Sequence, residues 1–149
     1  MSDTFAGKQV RIARHGTLDD DTVQTPGLIR NVAFDGRNPD AEHLSAFLSV
    51  VRPGAVTAAH HHGDQETVLY VVSGRSRFRW GERLEHAAEA GPGDFVFVPS
   101  HLIHQEINAS TEFETVWAVV RSGVNPVVVN LPELDAYIEH AAIEYTTPQ

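Results

Sequence analysis

The chain has 149 residues and no cysteine, and its 20 acidic and 11 basic side chains give a net charge of −9. This length fits one domain with one dominant site, and the negative charge argues against nucleic acid or an anionic membrane surface as a partner. Without thiols, any metal must be held by nitrogen and oxygen donors. The N-terminus lacks an apolar signal core and no stretch approaches the roughly 20 apolar residues of a membrane span, so we expect a cytoplasmic protein.

The first 44 residues are irregular, with the acidic run "LDDD" and the turn signals "TPG" and "DGRNPD". One strand is predicted here, around the apolar stretch "LIRNVAF". We expect residues 1–44 to form an arm that wraps the rest of the domain as an edge strand or a dimer arm. Because a two-sheet β fold presents open edges, we also expect a homodimer.

From residue 45 onward, short apolar or alternating runs are broken every eight to twelve residues by glycine, proline or asparagine. This pattern predicts consecutive strands in an antiparallel sandwich or barrel core over about 45–131. The predicted strands span 45–51, 56–62, 67–73, 76–81, 94–99, 104–108, 114–121 and 125–131. After Pro132, helical spacing of apolar residues predicts a short C-terminal helix over 132–145, so that 1–149 forms a single all-β domain.

The stretch "AHHHGDQE" (59–66) contains three consecutive histidines followed by two acids and an amide. Because side chains alternate along a strand, His60 and His62 share one face, about 6 to 7 Å apart, while His61 faces the other way. Imidazole nitrogen suits Zn, Fe, Ni, Cu and Mn, and Glu66 follows where the chain reverses. A further donor must come from elsewhere, and His104 in "GPGDFVFVPSHLIHQEIN" is the best candidate.

These two segments resemble the two sequence motifs of the cupin superfamily. The first runs from Gly54 through His60, His62 and Glu66 to Gly74, and the second runs over residues 93–108. The resemblance implies a double-stranded β-helix (jelly-roll) barrel. It also implies a divalent metal ion held by His60, His62, Glu66 and His104.

The chain departs from the family pattern in two places. Seven residues lie between Glu66 and Gly74 instead of the usual six, so strict alternation turns Gln65 or Thr67, and not Glu66, toward the ligand face. We favour Glu66 as the better donor for a divalent ion, with a β-bulge after it to restore the register. His101 stands where the family commonly has glycine, so it either tolerates an unusual backbone conformation or directs its imidazole into the pocket.

A site with three histidines and one carboxylate leaves coordination positions open, which favours catalysis over a structural role. The leading hypothesis is a small metal-dependent enzyme, containing Fe, Mn, Ni or Zn, that acts on a small organic substrate. Its reaction is predicted to be dioxygenase-like oxidation, or else Lewis-acid isomerase or lyase chemistry. His101 and Glu106 are the nearest candidates for catalytic acid–base groups. The alternatives are a non-catalytic ligand-binding or sensor cupin and a metal-free binding barrel.

Overall fold

The computed structural model describes residues 7–20, 27–38 and 40–140. In this part of the chain, ten β-strands are followed by one short 3-10 helix, Pro132–Tyr137. The strands are β1 (Leu28–Phe34), β2 (Leu44–Val51), β3 (His60–His61), β4 (Thr67–Ser73), β5 (Ser76–Trp80), β6 (His86–Ala90), β7 (Phe95–Val98), β8 (His104–Asn108), β9 (Thr115–Ser122) and β10 (Val129–Asn130).

The strands form two antiparallel five-stranded sheets, with the orders β1-β2-β9-β4-β7 and β10-β3-β8-β5-β6. Buried and exposed residues alternate along β4 and β9, as they must when only one face of a sheet packs against the core. The hydrophobic core lies between the sheets and includes Phe47, Leu69, Phe78 and Trp117. The all-β jelly-roll prediction is therefore confirmed.

All eight strands predicted between residues 45 and 131 are present, and the arm contributes β1 as an edge strand of the first sheet. Two strands are much shorter than predicted: β3 spans only His60–His61 and β10 only Val129–Asn130. The sequence analysis missed β6, whose "HAAEA" is exposed at its first four positions and therefore lacks an apolar alternation. Other parts of the arm, 1–6 and 21–26, lie outside the described residues.

The predicted C-terminal helix is a single six-residue 3-10 helix, and its predicted end, 141–145, lies outside the described residues. Proline occupies the first turn as expected. Beyond the helix, Glu139 forms ion pairs with Arg77 at 3.0 Å and Arg79 at 3.4 Å on the outer face of β5. The backbone of Glu139 also exchanges two hydrogen bonds with the side chain of Gln105 in β8. This segment therefore covers the outer face of β8, all five residues of which are buried.

Among the described residues, no helix has the length and apolar character needed to cross a bilayer.

Candidate metal centre

Three histidines and one glutamate converge between the two sheets. His60 in β3 lies directly opposite His104 in β8, and Glu106 follows two residues later on the same face of β8. His62, just after β3, completes the group. Thr57 fixes the backbone of Glu106 through two hydrogen bonds, from the Glu106 amide to the Thr57 hydroxyl and from the Thr57 amide to the Glu106 carbonyl, both 2.9 Å long. All four side chains of the group are buried.

The three imidazole rings are oriented by backbone carbonyl groups. The Nδ1 atoms of His60, His62 and His104 lie 2.8, 2.8 and 2.9 Å from carbonyl oxygens, those of Ala58, Val127 and Leu102 respectively. A carbonyl oxygen can only accept a hydrogen bond, so each Nδ1 must carry the proton and donate it. In the neutral ring, the lone pair is then on Nε2, which is the arrangement that metal-binding histidines adopt.

Glu106 presents its carboxylate to these lone pairs. Its Oε1 lies 3.2 Å from His104 Nε2, and its Oε2 lies 3.8 Å from His60 Nε2. Carboxylate oxygens and neutral Nε2 atoms are all acceptors, so this approach is stable only when a cation, either a proton or a metal ion, lies among them. The donor set therefore has the chemistry of a cation-binding site.

Burial keeps the histidines in the form that binds metals. It lowers the pKa of His60, and with the nearby Arg121 guanidinium it lowers the pKa of His62 to about 3. Burial alone would raise the pKa of Glu106, but the hydrogen bond with His104 and the charge interaction with His60 outweigh it and hold that pKa below its usual range. At neutral pH, His60 and His62 are neutral and Glu106 is an anion.

The geometry fits one divalent ion. The candidate ligand atoms of His60, His62, His104 and Glu106 all lie within 4.8 Å of one another. Two ligands that are each 2.0–2.2 Å from an ion are at most about 4.4 Å apart, so shifts of a few tenths of an ångström would close the set. Three imidazoles and one carboxylate suit Fe, Mn, Ni or Zn, and they leave positions open on an octahedral ion.

Glu66 does not belong to this group, so the structure corrects the predicted ligand set. Its side chain is exposed, whereas its neighbours Gln65 and Thr67 are buried. No bulge follows Glu66, because β4 pairs regularly from Thr67 to Val71 and the register shift falls between Val71 and Ser73. Strict alternation therefore holds at residues 65–67, and the carboxylate comes from Glu106, which the sequence analysis treated only as a possible acid–base group.

Gln65 supports the site indirectly. Its Nε2 donates to the carbonyl of Asn125 at 2.7 Å, and its Oε1 accepts from the amide of Val127 at 3.0 Å. The carbonyl of Val127 in turn accepts the hydrogen bond from His62 Nδ1. Gln65 thus fixes the loop that orients His62. Strand alternation predicted its buried, inward position. Its hydrogen-bond partners lie about 60 residues further along the chain, so no local sequence pattern predicted them.

His101 also lies outside the group of candidate ligands, and its catalytic role stays a prediction. Its backbone has φ 60°, the left-handed conformation that glycine favours, so it occupies the family's glycine position by tolerating that backbone. Its imidazole is largely exposed and contacts Asp64 Oδ1 at 2.6 Å. His61 is half-buried, and its Nδ1 accepts a hydrogen bond from the amide of Gly63, as expected for a ring that faces away from the site.

Two cavities lie next to the histidines. The inner chamber, of about 20 Å³, is lined by the four candidate ligands, and also by Arg30, Arg121 and core residues. A groove of about 650 Å³ runs between edge strands β6 and β7, with Phe78, Trp80 and Leu102 in its wall. Val98 and His104 line both cavities. The groove and the chamber therefore share part of their lining.

Comparison with known proteins agrees with this architecture. The family profile described as "Cupin domain" matches residues 47–121, which include all four candidate ligands. This match covers half of the chain, and the chain belongs to the cupin family. A search among curated proteins finds no significant match.

Solved structures support the same fold at low sequence identity. The polyketide cyclase RemF from Streptomyces resistomycificus has a TM-score of 0.69 and 20% identity, covering 88% of this chain and 100% of that chain. A double-stranded β-helix protein from Klebsiella pneumoniae has a TM-score of 0.58 and 18% identity, covering 73% and 89%. Oxalate decarboxylase from Bacillus subtilis has a TM-score of 0.63 and 23% identity over 80% of this chain but only 31% of that longer chain.

Proposed function

We propose that this cupin is a metal-dependent enzyme that acts on a small organic molecule. The observation that carries the proposal is the convergence of His60, His62, His104 and Glu106, whose candidate ligand atoms lie within 4.8 Å of one another. The 3.2 Å approach of Glu106 Oε1 to His104 Nε2 also needs a cation between them, either a proton or a metal ion. Three neutral imidazoles and one carboxylate hold a divalent ion while leaving positions open for a substrate oxygen. Purely structural zinc sites are closed by four ligands that commonly include thiolates, and this chain has none.

The ion, when bound, would supply Lewis acidity, and a redox-active ion would also supply oxygen chemistry. The protein's own contribution is to fix the donors and exclude water. Backbone carbonyls hold the three rings, Thr57 holds the Glu106 backbone, and Val98 with the surrounding core closes the chamber. Dioxygenase-like oxidation is the reaction we favour, with Lewis-acid isomerisation or elimination as the other possibility within the same proposal.

The groove indicates the kind of substrate. Its volume of about 650 Å³ is in the range of small-molecule sites. Trp80 pairs with His104 across β5 and β8, which places an aromatic residue next to a candidate ligand. Phe95 and Phe97 also border the groove, but they are largely exposed, as expected at the edge of a sheet. These features favour a planar, partly apolar molecule.

The proteins with similar structures do not select a reaction. The names of two of them describe a polyketide cyclase and an oxalate decarboxylase, which are different activities on one fold. One observation favours the non-catalytic alternative, a binding or sensor cupin. The inner chamber of about 20 Å³ holds little more than one water molecule, so the substrate has little room beside the donors in this conformation.

The test begins with protein purified without a histidine tag or added metal. Metal analysis should find close to one divalent ion per chain, and His60→Ala should abolish it while His61→Ala retains it. The protein is then loaded in turn with Fe, Mn, Ni and Zn, and a bidentate aromatic chelator such as a catechol is added anaerobically. A change in the spectrum of the metal, followed by oxygen uptake and product on admission of air, is the expected result for an oxygenase.

The remaining outcomes separate the alternatives. A zinc-loaded protein that takes up no oxygen but isomerises or eliminates a substrate would assign Lewis-acid chemistry. A fully metallated protein that binds chelators and turns over none of them would overturn the enzyme proposal in favour of the binding module. Failure to bind any of the four metals would overturn the metal site itself.

A further inference from the structure

Arg121 in β9 is a buried cation beside the candidate metal centre. Only 5% of the residue is exposed, and it lines the inner chamber together with His62 and Glu106. Its Nε donates to the hydroxyl of Thr67 at 2.8 Å, and its Nη2 lies 3.4 Å from His62 Nε2. Its Nη1 is buried and has no hydrogen-bond partner among the residues that the structure describes.

A buried guanidinium with this set of partners is costly, because removing a charge from water is repaid only by a close counter-charge and a full set of hydrogen bonds. Within the described part of the chain, Arg121 forms no ion pair, and its guanidinium lies 5.2 Å from the ring centre of Phe47. Arg30 places a second guanidinium 4.7 Å from the same ring. Burial and then the charge of Arg30 lower the pKa of Arg121 to about 10, so it remains charged at neutral pH.

Arg121 lacks hydrogen-bond acceptors, and its contact with His62 adds to this lack when the site holds a metal. His62 Nδ1 donates to Val127, so its Nε2 lone pair is the one that a cation would take. Nη2 of Arg121 then loses its acceptor, and both Nη groups remain without one beside the chamber. Two parallel N–H groups are what a carboxylate accepts in a bidentate pair.

We propose that the molecule bound at this centre carries a carboxylate and that Arg121 binds that group in the inner chamber. The body of the molecule lies in the groove that shares Val98 and His104 with the chamber. The inference rests on the proposed function, because the bound molecule is the substrate or ligand of the metal centre.

Formate and formamide are suitable probes because they have the same shape and differ in charge. Binding of each is measured by calorimetry and by the visible spectrum of the Co(II)-loaded protein, and thermal unfolding measures their effect on the metal-free protein. The variants are Arg121→Met, which keeps most of the side-chain volume, and Arg83→Met as a matched control that removes an exposed arginine from the turn between β5 and β6. Circular dichroism and metal content establish that each variant is folded and loaded.

We expect formate to bind at least about tenfold more tightly than formamide to the wild-type protein and to Arg83→Met. Arg121→Met should weaken formate binding by at least about tenfold and leave formamide binding unchanged. Equal binding of the two probes to the wild-type protein would overturn the inference even if Arg121→Met did not fold. A protein that binds Co(II) but ignores formate would also overturn it, while leaving the metal-dependent function intact. Protein that binds formate through Arg121 but takes up no metal would support the anion site and overturn the proposed function.

Discussion

The two histidine-bearing segments, 60–66 and 101–106, each contain residues that suit metals, but they present them differently. The first segment directs His60 and His62 inward, then turns at residues 63–64 and leaves Glu66 exposed. The second leaves His101 exposed in its turn and directs His104 and Glu106 inward from an uninterrupted strand. Strand phase, and not the chemical suitability of a residue, thus decides which side chains reach the centre.

Substitution of the histidines should give the largest losses of metal affinity and tests this comparison first. His60→Ala, His62→Ala and His104→Ala should each weaken metal binding by more than about 100-fold, since loss of a residue that merely supports a ligand costs 10–100-fold. His61→Ala, the matched control between two ligands, should leave affinity unchanged because its ring faces the other way. Competition with a chromophoric chelator measures these affinities, and comparable loss in the His61 variant would show that the strand phase is wrong.

The two carboxylates provide the next test. Glu106→Gln should weaken metal binding by at least about tenfold, because the neutral amide replaces an ionised ligand. Glu66→Gln removes the same charge from an exposed position and should leave the affinity within about twofold. The measurement is the same competition titration. If the Glu66 variant lost more affinity than the Glu106 variant, the carboxylate would come from the first motif after all.

The third test concerns the stability of the metal-free protein, where a smaller effect is expected. Acid should lower its free energy of unfolding through the buried histidines. The pKa of His62 is about 3 in the folded state, and it is near 6.5 when the chain is unfolded. Between these values the unfolded state binds a proton that the folded state does not, so stability falls as the pH falls, by about 1.4 kcal/mol per pH unit. Urea unfolding in a chelator between pH 4 and pH 8 should show this slope below about pH 6.5.

His62→Asn is the control for that slope, because it removes the titrating ring. The slope in this variant should be reduced by the contribution of one group. A stability curve that is flat from pH 4 to pH 6.5 in the wild-type protein would contradict the buried, neutral state of His62.

Much of this architecture was accessible from the sequence. The eight strand predictions depended on alternation and turn residues, which act locally and indicated an antiparallel sandwich or barrel. The resemblance to the cupin motifs then implied the jelly roll. The grouping of His60 and His62 with His104 could also be predicted, from the phase of the first histidine strand and from the second motif. The ends of the strands were harder to predict from the sequence. β3 and β10 are two residues long because they pair only with each other and, at His60, with β8.

The fourth ligand was missed for a specific reason. Alternation placed Gln65 inward and Glu66 outward, but the greater affinity of carboxylate for divalent ions favoured Glu66, with a bulge assumed to move it inward. The same parity rule places Glu106 on the face of His104, but the sequence analysis assigned this residue to acid–base chemistry. The roles of Gln65 and Arg121 depend on contacts between residues about 60 positions apart, which no local pattern encodes.

The docking of Glu139 on β8 has a consequence for how often the strand that carries two of the donors opens locally. Gln105 stands between His104 and Glu106, and its amide is held by the Glu139 backbone on the outer face of the strand. These hydrogen bonds add to the pairing with β5 that already holds the two donors in place. The protection of the β8 amides from exchange with deuterated solvent would then depend on Glu139, more than 30 residues away in sequence. Removing the segment around Glu139 should loosen the centre without changing any donor.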